Sequence, residues 1–210
     1  MSARFVVMVS GGGTNLQALI DAISAGKVYA RIALVISSRK DAFALERAAK
    51  AGLETLVATP PRRSSPAGSV DDLARRAYDR RLADSIASVN PDYIFLLGWM
   101  RILTEEFIGR FPGRIVNLHP ALPGTFAGVN AIERAWQAYL EGEIACTGVM
   151  THYVPDARVD SGPVIGLKTV GFLAGESFED YETRMHRAEH QLVVETAASL
   201  ADMAVKGEGR

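Results

Sequence analysis

Short β-branched apolar runs alternate with stretches of helical periodicity along most of this chain, and that alternation leaves few folds open. Near-continuous apolar strands joined by helices build a parallel sheet buried on both faces, because a strand with one wet face would alternate polar and apolar residues. The spacing predicts strands over residues 4–10, 32–37, 53–58, 93–98 and 115–119. Helices are expected over 15–25, 42–51, 70–89 and 130–140, the first carrying Leu16, Leu19, Ile20 and Ile23 at helical spacing. Strands near 148–154 and 164–170 follow, and then a long helix over 178–205. Residues 59–69, with Pro60, Pro61, Pro66 and Gly68, read as a breaker-rich loop inside one domain, because regular patterns resume at once. With 210 residues, 48% of them hydrophobic, the chain can bury a full core as a single domain over 1–210.

Charge excludes several classes of partner. Lysine and arginine total 23 against 24 acidic residues, so no bulk field draws the chain to nucleic acid or to an anionic membrane. No apolar run approaches a membrane span, and Phe5-Val6-Val7-Met8-Val9 is too short for a signal peptide and runs into glycines. The lone cysteine, Cys146, cannot form an internal disulfide, which points to a reducing, cytoplasmic setting; it reads as a small buried apolar residue. Small-molecule substrates are therefore expected, with neither nucleic acid nor membrane.

Three segments carry chemistry. Asn117-Leu118-His119-Pro120 ends an apolar strand, so Asn117 and His119 share one face while Leu118 packs on the other. A carboxamide beside an imidazole at the carboxyl end of a strand suits a reaction that develops negative charge on oxygen. Ser10-Gly11-Gly12-Gly13-Thr14-Asn15 links the first strand to its helix, where converging N–H groups and the helix dipole favour phosphate. It is not a Walker loop, for no lysine stands between Gly13 and Thr14. The dinucleotide fingerprint fails at Leu16, although Arg39 after the second strand keeps an NADP site as a rival. Third, Asp160 lies in a turn-rich loop before Gly162-Pro163, from which a carboxylate could reach His119, orient its ring and raise its pKa.

Ser10 to Gln17, Gly98-Trp99-Met100-Arg101-Ile102-Leu103, Asn117 to Pro120 and Asp160 to Pro163 occur in one order, and in that order the chain resembles the phosphoribosylglycinamide formyltransferase family over nearly its whole length. The resemblance implies a Rossmann-like, three-layer α/β fold with a mostly parallel sheet. It also implies transfer of a formyl group from 10-formyltetrahydrofolate to the amine of phosphoribosylglycinamide in purine synthesis, with no metal. Gly13, Thr14 and Asn15 would hold the substrate phosphate, and the segment His186-Arg187-Ala188-Glu189 the rest of that substrate, with Glu189 on ribose hydroxyls. Arg75, Met100, Arg101, Ile102, Leu103, Asn117, Asp156 and Asp160 would line the folate pocket. Asn117, His119 and Asp160 would be catalytic, and a homodimer is compatible with the family. The chain departs from the commonest pattern at Ala121-Leu122-Pro123 and at Met150, where a small hydroxyl residue is expected.

Attack of the neutral amine on the formyl carbon would give a tetrahedral oxyanion stabilised by Asn117 and protonated His119, with Asp160 assisting proton transfer. Rival readings are a formyltetrahydrofolate hydrolase, which would use water as acceptor, and a methionyl-tRNA formyltransferase, which normally carries a further carboxyl-terminal domain and a basic surface. A metal hydrolase built on His119, His152 and Asp160 is a weaker rival, since Asn117 is a poor zinc ligand and His186 and His190 lack the His-Glu-x-x-His arrangement.

Overall fold

A computed structural model of the chain describes residues 1–61 and 70–207. Its strands are β1 (Ala3–Val9), β2 (Ala30–Ser37), β3 (Thr55–Val57), β4 (Tyr93–Leu96), β5 (Ile115–His119), β6 (Cys146–Tyr153) and β7 (Val164–Gly171). They form one sheet in the order β3-β2-β1-β4-β5-β6-β7. Strands β1 to β5 pair in parallel, whereas β5 with β6 and β6 with β7 pair antiparallel. The helices are α1 (Thr14–Ser24), α2 (Phe43–Lys50), α3 (Val70–Ala87), α4 (Glu105–Ile108), α5 (Ala131–Leu140) and α6 (Phe178–Lys206).

Strand alternation sorts the core into two layers. Phe5, Val7, Val9, Phe95, Val116 and Leu118 pack on one face of the sheet against α1, α2, α5 and α6. Val6, Met8, Ile94, Leu96 and Ile115 pack on the other against α3 and α4. Helix α6 anchors the first layer: Ser177 caps its N-terminus by accepting from the Asp180 N–H, and Gly207 ends it in the left-handed conformation. Tyr181, Met185, Val193 and Ala197 on this helix are fully buried, and each large apolar side chain among them contributes roughly 1.5–3 kcal/mol. The expected three-layer α/β architecture is observed.

Two sequence expectations change. The third strand contracts to Thr55–Val57, because Gly52 takes a positive φ and closes α2 onto an edge strand whose residues are exposed or half-buried. Cys146 is exposed, not buried, since it opens β6 at the rim of the sheet before the buried run begins. Helix α4 has four residues, too few to impose a period on the sequence. Of the breaker-rich loop, residues 62–69 lie outside the described residues.

The chain leaves β1 for β2 and β3 on one side, then returns to β4 on the other, so strand order reverses between β1 and β4. A crevice opens beyond the carboxyl ends of strands at such a point, because successive loops diverge there. The glycine turn after β1, the 98–103 loop after β4 and the end of β5 all face this crevice side. Ser10 links two of them: its hydroxyl oxygen accepts from the Met100 N–H at 3.1 Å and from the Ser38 hydroxyl at 2.8 Å.

Candidate active site

The glycine turn is held from one side. The Gly11 carbonyl accepts from the Ala44 N–H at 3.1 Å, the Gly12 carbonyl from Arg47 Nε at 2.9 Å, and the Gly13 carbonyl from the Gln17 N–H at 2.9 Å. In a trans peptide the following N–H points opposite to the carbonyl, so the amides of Gly12, Gly13 and Thr14 are directed away from these partners. Gly13 sits at φ 72° as the N-cap of α1, and a Cβ there would lie 2.6 Å from that of Ala44; only glycine fits. Amides so directed at the start of an eleven-residue helix suit an anion.

The second part is set by β-sheet register. Asn117 and His119 project from the same face of β5 as Ile115, beyond the point where α3 and α4 cover it. Antiparallel pairing puts His152 of β6 directly opposite Asn117, and Met150 opposite His119. His152 thereby joins the cluster. Its Nδ1 lies 2.8 Å from the Tyr153 carbonyl, an acceptor only, so Nδ1 carries the proton. In the neutral ring Nε2 is then an acceptor, and Asn117 Nδ2 donates to it at 3.1 Å. The other Asn117 N–H donates to Asp160 Oδ1 at 2.9 Å. Asp160 Oδ2 accepts from the Gly128 N–H at 2.8 Å and lies 3.3 Å from His119 Nδ1. His152 Nε2 is also 3.5 Å from Asp160 Oδ1, which becomes a donated bond only if the ring gains a second proton.

His119 is almost fully buried, and its Nε2 has no hydrogen-bond partner among the described residues. Burial lowers the His119 pKa, and this outweighs the Asp160 carboxylate and the Phe126 carbonyl, which favour the charged ring. The sequence expectation was a raised pKa; Asp160 acts in that direction but desolvation prevails. For Asp160, burial pushes the pKa up, yet the neighbouring imidazoles and the Gly128 N–H hold it below the ordinary carboxylate value. Both shifts favour an ionised Asp160 beside a neutral His119, whose Nε2 is buried and unpartnered among the described residues. Asp160 and Phe126 both take positive φ, 49° and 45°, so two strained backbones bracket the imidazole.

The remaining expected residues fall into two groups. On the crevice side, Leu103 is buried, Arg101 is half-buried with its guanidinium 5.8 Å from the centre of the Tyr78 ring, and Met100 and Ile102 expose 68% and 52% of their surfaces, an apolar wall left open. Arg75 donates to the Ile102 carbonyl and so braces this wall. Asp156 is engaged by Arg158 through 2.7 Å and 3.0 Å bonds instead of facing the crevice freely. On α6, Glu189 is buried and bonds His186 Nδ1 at 2.7 Å, which raises the His186 pKa against the effect of burial. Helix α6 packs against α1, the helix that begins at the glycine turn. Arg187 is exposed and Ala188 buried.

Sequence reasoning placed His152 only as a metal-ligand candidate and did not single out Arg47, Gly128 or Ser10's link to Met100. Among the described residues no group of three or more His, Cys, Asp or Glu side chains is arranged to hold a metal ion. The two-residue alternation in β6 puts His152 on one face, but only the pairing register brings it to Asn117.

A glycine turn at the head of α1 and a buried imidazole–carboxylate pair, both beyond the carboxyl ends of parallel strands near the switch point, fit a Rossmann-like enzyme. Residues 3–197 match the formyl transferase family, and the chain belongs to it. The phosphoribosylglycinamide formyltransferase of Schizosaccharomyces pombe is 42% identical over 93% of this chain and 95% of its own length. That of Escherichia coli is 36% identical over 97% and 89%. The crystal structure of glycinamide ribonucleotide transformylase 1 from Symbiobacterium toebii superposes with a TM-score of 0.83 at 36% identity, over 95% of this chain and 88% of that one. Within the family the chain stands with the phosphoribosylglycinamide formyltransferases and is an enzyme of that type.

Proposed function

We propose that this formyltransferase carries the formyl group of 10-formyltetrahydrofolate to the amine of 5-phosphoribosylglycinamide, in cytoplasmic purine biosynthesis. One observation carries the reading: the glycine turn after β1 and the His119–Asp160 pair at the end of β5 lie beyond the carboxyl ends of the parallel strands beside the switch point. The cradle of Gly12, Gly13 and Thr14 amides suits a substrate phosphate, His186 and Glu189 its ribosyl part, and the exposed Met100 and Ile102 the flat donor ring. The acceptor amine attacks the formyl carbon, and the carbonyl oxygen becomes an oxyanion. Neutral His119, whose Nε2 is unpartnered, takes the amine proton and becomes an imidazolium held by Asp160. That imidazolium and one N–H of Asn117 stabilise the oxyanion; Asn117 frees the N–H by releasing Asp160 or His152. Collapse breaks the carbon–nitrogen bond to the folate, whose nitrogen receives the proton from His119. No covalent enzyme intermediate is required. The partners are small molecules, and a homodimer is part of this proposal.

The test is release of deformylated folate, followed spectrophotometrically with and without phosphoribosylglycinamide. Turnover only with the acceptor supports transfer. Equal turnover without it would make the enzyme a hydrolase and overturn the reading.

A further inference from the structure

Arg47 stands outside the crevice chemistry, yet it is the one side chain that bonds a carbonyl of the glycine cradle among the hydrogen bonds of the described residues. Its Nε donates to Gly12 at 2.9 Å and its NH1 to the Gln17 side-chain oxygen at 3.3 Å. The guanidinium also lies 4.9 Å from the centre of the Phe43 ring, one turn back on α2. Three groups thus fix its plane. The two flanking peptides are oriented by backbone donors, the Ala44 N–H on Gly11 and the Gln17 N–H on Gly13. Among the described residues the Gly12–Gly13 peptide has no such donor. It joins two glycines, where rotation meets the least steric resistance, so without a partner on its carbonyl this unit can turn its N–H away from the crevice.

We propose that Arg47 is a positioning residue for phosphate recognition: by holding the Gly12 carbonyl against α2 it keeps the Gly13 N–H aimed into the cradle. Arg47 acts through the peptide and does not touch the substrate. The inference rests on the reading of the cradle as the acceptor-phosphate site, and it adds the element that makes the cradle rigid. Lysine in its place keeps the charge but loses the planar fork that spans Gly12 and Gln17.

Steady-state kinetics of wild type, Arg47→Met and Arg47→Lys, with phosphoribosylglycinamide and with its dephosphorylated counterpart, test this. Wild type should prefer the phosphorylated acceptor in kcat/KM. Arg47→Met should raise the KM for that acceptor about tenfold, the scale of one charged hydrogen bond, with kcat and the donor KM within about twofold. Both variants should match wild type on the dephosphorylated acceptor, which also reports that each is folded. Arg47→Lys should recover only a minor part of the loss. An unchanged KM in Arg47→Met, an equal loss on both acceptors, or full recovery by lysine would overturn the positioning role while leaving formyl transfer intact. A wild type indifferent to the phosphate would overturn the cradle reading itself, and the inference with it.

Discussion

The side-chain amide of Asn117 donates to Asp160 Oδ1 across 2.9 Å, so the carboxylate is oriented by the same residue that is proposed to meet the oxyanion. This coupling makes Asp160→Asn informative. The variant keeps the size of the side chain but removes the charge beside His119 and turns one of two acceptor oxygens into an N–H donor, which then faces the donor of Asn117 or Gly128. The expected outcome is a fall in kcat of about 10²–10⁴ with the acceptor KM nearly unchanged, measured by steady-state kinetics. A kcat within a few fold of wild type would remove Asp160 from proton transfer.

His119 should titrate below the ordinary histidine value near 6.5, and nitrogen-detected NMR of the imidazole would read it. Because neutral His119 accepts the amine proton in the proposed mechanism, kcat/KM should fall as the pH drops through this lowered pKa. In Asp160→Asn the midpoint should move further down, since a group that favours the charged ring has gone. An upward move would contradict the assignment of Asp160 as the countercharge.

The same shift has a consequence for folding. The unfolded chain protonates His119 first, so the stability contributed by the neutral ring is complete above about pH 6.5 and is lost as the pH falls through the folded pKa. His186 has the opposite sign: its raised pKa contributes stability that is present below about 6.5 and lost as the pH rises through the folded value. Urea unfolding of His119→Asn should therefore show a shallower loss of stability on acidification than wild type.

Gly162→Ala tests the loop that delivers Asp160. A Cβ at 162 would collide with the Tyr153 carbonyl oxygen and lie 2.8 Å from Pro155, so the loop must shift. Stability should drop by about 1–3 kcal/mol in thermal unfolding. The kcat should fall by about 10²-fold, because a shift on the ångström scale misaligns the carboxylate two residues away. A destabilised variant with full kcat would show that Asp160 is held by Asn117 and Gly128 alone.

Glu189→Gln removes the carboxylate that raises the His186 pKa. The His186 titration should move down toward its ordinary value. The acceptor KM should rise by about tenfold while the donor KM stays constant, if this turn of α6 contacts the ribosyl substrate. Equal effects on both substrates would point to a packing defect around the buried Glu189 instead.

Much of this architecture was legible from residue pattern. β5 fell at residues 115–119 as expected, and the shared face of Asn117 and His119 and the approach of Asp160 to His119 were anticipated from residue type and spacing. What pattern could not supply was register and solvation. His152 reaches Asn117 through cross-strand pairing between residues 35 positions apart, which no local period encodes. The sign of the His119 shift depends on how completely β5 and its following loop exclude water, a property of the closed fold. Arg47 escaped notice because an arginine on an exposed amphipathic helix looks the same in sequence whether or not a glycine carbonyl lies within reach.

The positive φ of Asp160 narrows what can ever stand at that position. Glycine, asparagine and aspartate enter the left-handed region readily, while other L-residues lose roughly 1–2 kcal/mol there before any chemistry is considered. Of the three tolerated residues only one carries a charge. Alanine at 160 therefore mixes a conformational defect with a chemical one, and drift at this site is confined to replacements that abolish the countercharge outright. Glutamate would bear the left-handed cost with a longer side chain, so aspartate is the residue that meets acid–base competence and backbone geometry together.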